Sequence, residues 1–195
     1  LKNGLEPSKG FCVIEDACHA LGAEIECRGR WERVGSGSYA DMTVFSFHPV
    51  KHITTGEGGM ITTRRRDLYE RLLLLRSHGI EKNPEKFVNH PIAGPWVYEM
   101  QALGFNYRIT DIQCALGLSQ MVKLNLFLEK RRRIAAYYDK RFHGLVGVRT
   151  PERIAGTRSS HHLYVLRINF ELLKTTRAVF MRALLDGGIG TQVHY

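Results

Sequence analysis

No stretch of this 195-residue sequence approaches the roughly 18 uninterrupted apolar residues of a membrane-spanning helix, and its start, LKNGLEPSKG, lacks the apolar core of a signal segment. A soluble cytoplasmic protein with no membrane partner is therefore expected. The four cysteines, Cys12, Cys18, Cys27 and Cys114, form no C-x-x-C pair and no repeated spacing, which argues against a zinc site and against a disulfide framework. His48 and His52 stand four apart but lack the glutamate and third ligand of a metalloprotease helix, so no metal is expected. Acidic residues are in deficit, 19 against 28 Lys and Arg, for a net charge of +9. Such an excess suits nucleic acid, a membrane surface or a phosphorylated small molecule. Its two densest runs, TRRRD at 63–67 and EKRRR at 129–133, read as solvated helix faces. No aromatic residues interleave with them, and no nucleic-acid module is visible. Internal repeats and low-complexity segments are also missing.

What is present alternates between strand and helix patterns. GFCVIEDA and DMTVFSFH are short apolar runs that end in acidic, small or polar residues, the pattern of buried parallel strands whose carboxyl ends open onto a site. Ligands of open α/β sheets gather at such ends, so Asp16 is expected near Ser46–His48. GEGGMITT predicts a glycine turn followed by a strand. RDLYERLLLLRSHG predicts a helix with Leu68, Leu72 and Leu75 on one stripe and Gly79 at its exit. Residues 80–100 carry three prolines and no sustained period, as an ordered loop over a site or at a subunit contact would. Thr110 and Gln113 form a capping box for a further helix, with Asp111 at the positive end of its dipole. A basic helix is expected from Asn125 to Phe142. HLYVLRIN then reads as a strand, TTRAVFMRALLDGG as a helix and IGTQVHY as another strand.

Lys51 follows directly on a strand and precedes a glycine turn. A lysine in that place acts as a nucleophile toward a carbonyl when burial or neighbouring cations lower its pKa. Asp16 sharpens the assignment. A pyridoxal phosphate (PLP) site needs a lysine for the Schiff base and a carboxylate that keeps the pyridine nitrogen protonated, so that the ring serves as an electron sink. Ser46 is placed for the cofactor phosphate and His19 for its phenolic oxygen. Each has a plainer alternative: Asp16 as a helix cap, His19 as a core histidine, Ser46 bonded to backbone.

VIEDACHALGAE, ADMTVFSFHPVKHITTGEGGMITT, LRSHGI and LGFNYRITDIQCALGLSQ, in that order, closely resemble the DegT/DnrJ/EryC1/StrS sugar aminotransferases. The resemblance implies an α/β chain of PLP-dependent transferase fold type I, like aspartate aminotransferase. Residues 1–124 would be the C-terminal part of the large, cofactor-binding domain, and 125–195 the linking helix and start of the small C-terminal domain. It further implies Lys51 as the Schiff-base lysine and proton shuttle, Asp16 as pyridinium partner, His19 at the phenolic oxygen and Ser46 at the phosphate. Asn106 would reach the cofactor phosphate of the other subunit in a homodimer with a shared active site, its alternative being a local turn. The block PWVYEMQALGFNYRITDIQCALGLSQ points, within the family, to members that aminate a UDP-4-keto-6-deoxy-N-acetylhexosamine at C4 in pseudaminic acid biosynthesis, with L-glutamate as donor. Relatives with histidine in place of the lysine are dehydratases, but position 51 is lysine. Other readings are an aminotransferase acting on a different nucleotide-linked keto sugar, a catalytically incompetent fragment or binding relative of the family, and a nucleic-acid binder that salt-dependent DNA binding would reveal. The family's phosphate-binding turn and ring-stacking aromatic precede the matched region, so the chain is expected to be a fragment. No role is assigned to His48, Glu57, His161 or His162.

Overall fold

The computed structural model describes residues 11–89 and 94–194. Along the chain run β1 (Ile14–Asp16), β2 (Glu24–Cys27), β3 (Arg30–Arg33), β4 (Met42–Ser46), β5 (Gly59–Thr62), α1 (Arg66–Leu75), β6 (Ile80–Glu81), β7 (Glu99–Met100), α2 (Asp111–Met121), α3 (Leu124–Phe142), β8 (Val148–Arg149), β9 (Thr157–Arg158), β10 (Arg167–Ile168) and α4 (Arg177–Asp186).

The alternation in DMTVFSF sends every second side chain inward, as a pleated strand must. Thr43, Phe45 and Phe47 are buried, while Met42, Val44 and Ser46 are half-buried. β4 is the middle strand of the sheet β1-β4-β5, parallel to β1 and antiparallel to β5. Asp16 lies opposite Val44 in the parallel register, so the carboxyl ends of β1 and β4 share one edge. The ladder continues one residue further through Ala17 N, which donates to Val44 O at 2.8 Å. At the opposite end Asp41 ties the strands together. Its Oδ2 accepts from Val13 N at 2.9 Å, and its carbonyl accepts from Thr63 Oγ1 at 2.6 Å.

Ala17, Phe45, Phe47, Ile53, Leu124 and Leu128 form the buried apolar cluster under this sheet. Leu124 and Leu128 stand one helical turn apart on α3, which lays its N-terminal half against the strands. α2 begins with the expected capping box: Thr110 Oγ1 accepts from Gln113 N, and Gln113 Oε1 accepts from Thr110 N. Gln113 Nε2 also donates to Glu57 O at 2.8 Å and so fastens the helix start to the turn that follows Lys51.

Several elements depart from the sequence expectations. α1 ends at Leu75, earlier than expected, while Gly79 takes the expected left-handed conformation, φ +66°, after a short turn. Residues 80–100 contain the two-residue ladder β6-β7 and a 3-10 turn at Pro84–Lys86, with 90–93 outside the described residues. A hairpin, β2-β3, turns on Arg28 and Gly29, both at positive φ, and β9 extends it to three strands. HLYVLRIN forms a strand only at Arg167–Ile168, and residues 189–194 of IGTQVHY form none, Tyr195 lying outside the described residues. Among the described residues no helix is long and apolar enough to cross a membrane.

Candidate active site

Asp16 closes β1 with its carboxylate exposed at the strand end. Its Oδ1 accepts from Cys18 N at 3.0 Å. Hydrogen bonds from the Cys18 thiol and backbone, with the nearby charges of His19 and Lys51, hold the carboxyl below its usual range. Burial and the same carboxylate push the Cys18 thiol up. The residue at position 16 is therefore an anion, the state a pyridinium partner requires.

The chain leaves β4 at Ser46, whose Oγ accepts from His48 N at 3.3 Å and keeps its own proton free to donate. A tight turn follows, with Lys51 N donating to His48 O at 3.0 Å, Phe47 N to Gly58 O at 2.8 Å and Thr55 N to Phe47 O at 3.0 Å. The loop is thus pinned on both sides of Lys51, which is half-buried. Lys51 borders a cavity of about 450 Å³, shared with His52, Gln120, Phe127 and Lys130. Its charge acts on Asp16, Cys18, His19, His52 and His162, which places all five in its electrostatic neighbourhood.

Asp16, His19 and Lys51 are thus brought together, with Ser46 at the adjoining strand end. Partial burial, then Lys51 and His194, push the His19 pKa down, against a smaller opposite effect of Asp16. Asn106 is not drawn into that group. It is exposed, pairs in an isolated bridge with Ser77, and accepts from Arg108 N at 3.5 Å. His48 and Glu57 face each other across the loop at 3.9 Å, both largely exposed.

Sequence reasoning missed the residues that back this site. His52 is 3% exposed, and its Nε2 lies 3.2 Å from Ser160 O. Burial, then Arg131, push its pKa down to about 4, and His162 is held at about 4 chiefly by burial. Burial also lowers His161. The doublet His161–His162 was the visible signal, but the ring partners of His162, His19 and His52, lie more than a hundred residues away and no local period points to them. Among the described residues no group of three His, Cys, Asp or Glu side chains is placed to hold a metal ion.

The pattern of the DegT/DnrJ/EryC1/StrS aminotransferase family matches residues 3–195. The chain belongs to that family. Among curated relatives it is 42% identical over 183 residues to UDP-4-amino-4,6-dideoxy-N-acetyl-beta-L-altrosamine transaminase of Campylobacter jejuni, covering 94% of this chain and 44% of that protein. Among solved structures it resembles Helicobacter pylori PseC, an aminotransferase involved in the biosynthesis of pseudoaminic acid. The TM-score is 0.77 at 32% identity, over 95% of this chain and 45% of that one. The PLP form of Spr1654 from Streptococcus pneumoniae aligns at a TM-score of 0.75 and 30% identity, over 94% and 44% of the two chains. This family member therefore spans about 45% of the length of the relatives it matches. Its fold is the fold type I expected from the sequence, over the part of those chains that it spans, and the family's aminotransferases depend on pyridoxal phosphate.

Proposed function

We propose that this chain carries the lysine-bearing part of a PLP-dependent nucleotide-sugar aminotransferase. The whole enzyme would pass an amino group from L-glutamate to C4 of a UDP-4-keto-6-deoxy-N-acetylhexosamine in pseudaminic acid biosynthesis. One observation carries this reading: two parallel strands end side by side at an ionised Asp16 and at Ser46, and the loop that follows β4 holds Lys51 within electrostatic reach of Asp16. The names of the Campylobacter and Helicobacter relatives support the sugar class.

The residues present fit the cofactor. The exposed carboxylate of Asp16 is fixed by Cys18 and ionised, as a group facing a protonated ring nitrogen must be. Ser46 has a free hydroxyl proton for a phosphate oxygen, and His19 stands beside Asp16 for the phenolic oxygen. When bound, pyridoxal phosphate supplies an electron sink and a carrier for the amino group. Lys51 would hold the cofactor through Nζ, and its amine would move a proton at the α-carbon of the amino donor. Asp16 keeps the ring-nitrogen proton in place throughout. Asn106, exposed at its bridge to Ser77, would serve the cofactor phosphate of a second copy in a homodimer.

The division at 124/125 belongs to the same proposal, with α3 as the link. Its first turns pack in the sheet's core, while Tyr138 and Phe142 near its other end cluster with Tyr164 at ring distances of 5.1–6.3 Å.

The test is borohydride reduction of the full chain with pyridoxal phosphate, followed by peptide mass mapping, and a turnover assay on UDP- and dTDP-linked 4-keto sugars. The expected result is label on Lys51, none in Lys51→Ala, and loss of most turnover in Asp16→Ala. Label retained in Lys51→Ala, or full turnover in Asp16→Ala, overturns the assignment.

A further inference from the structure

His19, His52 and His162 come from three distant parts of the chain and set their rings in a row. The centroids of His19 and His162 are 4.3 Å apart with planes tilted by 48°, and those of His162 and His52 are 5.5 Å apart. The middle ring is fixed from its backbone. Arg131 Nη1 donates to the carbonyls of His161 at 3.2 Å and His162 at 3.3 Å, and Arg132 Nε donates to Ser159 O at 3.2 Å. Ser160, 1% exposed, donates through Oγ to His19 O at 3.1 Å. Its carbonyl lies 3.2 Å from His52 Nε2, and because a carbonyl only accepts, that nitrogen carries the proton.

Segment 159–162 is therefore a strap, held by α3 on one side and by the residue after Lys51 on the other. It grips His19 twice, through the carbonyl and through the ring. His162 Nδ1 is buried with no hydrogen-bond partner among the described residues. A ring packed between two others with that nitrogen unpaired acts through its shape rather than by moving a proton. Burial first, then His19, Lys51, His52 and Arg131, push its pKa down to about 4 and keep it neutral.

We propose that His162 is a positioning residue that sets the ring of His19, and with it the contact to the cofactor's phenolic oxygen, and couples that ring to the Lys51 loop through His52. This rests on the function proposed above. Nothing in the sequence pattern around Lys51 assigns such a role to His162, which acts through other side chains rather than on the reacting atoms.

The experiment compares His162→Ala and His162→Phe in the full chain. The first readout needs no cofactor: the His19 imidazole is titrated by NMR, with Asp16, Lys51, His52, His162 and His194 as the charged or titratable groups that act on it. His19 is exposed apart from such contacts, and loss of the packed ring removes part of the burial that lowers its pKa, so in His162→Ala that pKa rises toward the ordinary value, while His162→Phe stays close to the parent. The second readout is pyridoxal phosphate dissociation followed by fluorescence. His162→Ala is expected to weaken retention about three- to tenfold, the size of one aromatic contact, and the phenyl ring to restore it. An unmoved His19 titration in His162→Ala, or His162→Phe as perturbed as His162→Ala, overturns the proposal. Should His162→Ala not fold, Arg131→Met releases the strap without touching the rings. Its expected result is the same rise in His19, and no change there overturns the proposal. A parent protein that fails to bind pyridoxal phosphate strikes the proposed function, while the cofactor-free titration still decides whether His162 sets His19.

Discussion

Replacement of Gly58 by alanine tests how the loop that carries Lys51 is held. Gly58 has a φ of +153°, a region open almost only to glycine. A Cβ at this position would lie 2.4 Å from Thr55 Oγ1 and 3.2 Å from Ile109 Cδ1. The Thr55 hydroxyl is already engaged, donating to Glu57 O at 2.7 Å, and the carbonyl of Gly58 accepts from Phe47 N. Backbone strain of about 1–3 kcal/mol then adds to about 1 kcal/mol for the displaced Thr55 bond, or about 3 kcal/mol in all. Gly56 provides the control. Its φ is +82° but a Cβ there meets nothing within 4 Å, so Gly56→Ala costs only the left-handed strain, about 1–2 kcal/mol. Guanidinium unfolding of both variants measures the difference, and pyridoxal phosphate retention shows whether the loop has shifted under Lys51. If Gly58→Ala is no less stable than Gly56→Ala, the collision does not govern this loop and the account of how Lys51 is presented fails.

Acid should weaken the fold through the buried histidines. His52 is held at about 4 in the folded chain and titrates near 6.5 when unfolded, so the unfolded state binds the proton first. Stability is complete above about pH 6.5 and declines as pH falls toward about 4. His52→Gln keeps an N–H for the Ser160 carbonyl, does not titrate, and is expected to flatten part of that decline in a chemical-denaturation series. An unchanged acid limb would show that His52 is not its source. Leu128, 5% exposed in the central cluster, should cost about 3–4 kcal/mol on truncation to alanine. A loss below about 1 kcal/mol, by denaturant midpoint, would mean that α3 does not anchor the sheet.

Local chemistry made some elements legible. The capping box at Thr110 and Gln113 specifies a helix start through its own side chains, and the structure places both bonds there. α3 begins at Leu124, one residue before the start expected from the pattern. The hairpin β2-β3 escaped notice because its turn is Arg28–Gly29 rather than the Asn-Gly or Asp-Gly that usually marks two-residue loops. HLYVLRIN fell short of a full strand for a tertiary reason. The carbonyls of His161 and His162 are taken by Arg131, and Tyr164 gives its hydroxyl to Asp139 and its ring to Tyr138.

By itself the sequence determined the strand ends that carry Asp16 and Ser46, the lysine that follows, and the helix caps, because alternation, turn chemistry and capping act within a few residues. Only the tertiary structure decided that His52, Ser160, His162 and Arg131 back that site, and that α3 closes the core beneath it. Those contacts join segments from opposite ends of the chain, where burial and hydrogen-bond satisfaction, rather than spacing, select the partner.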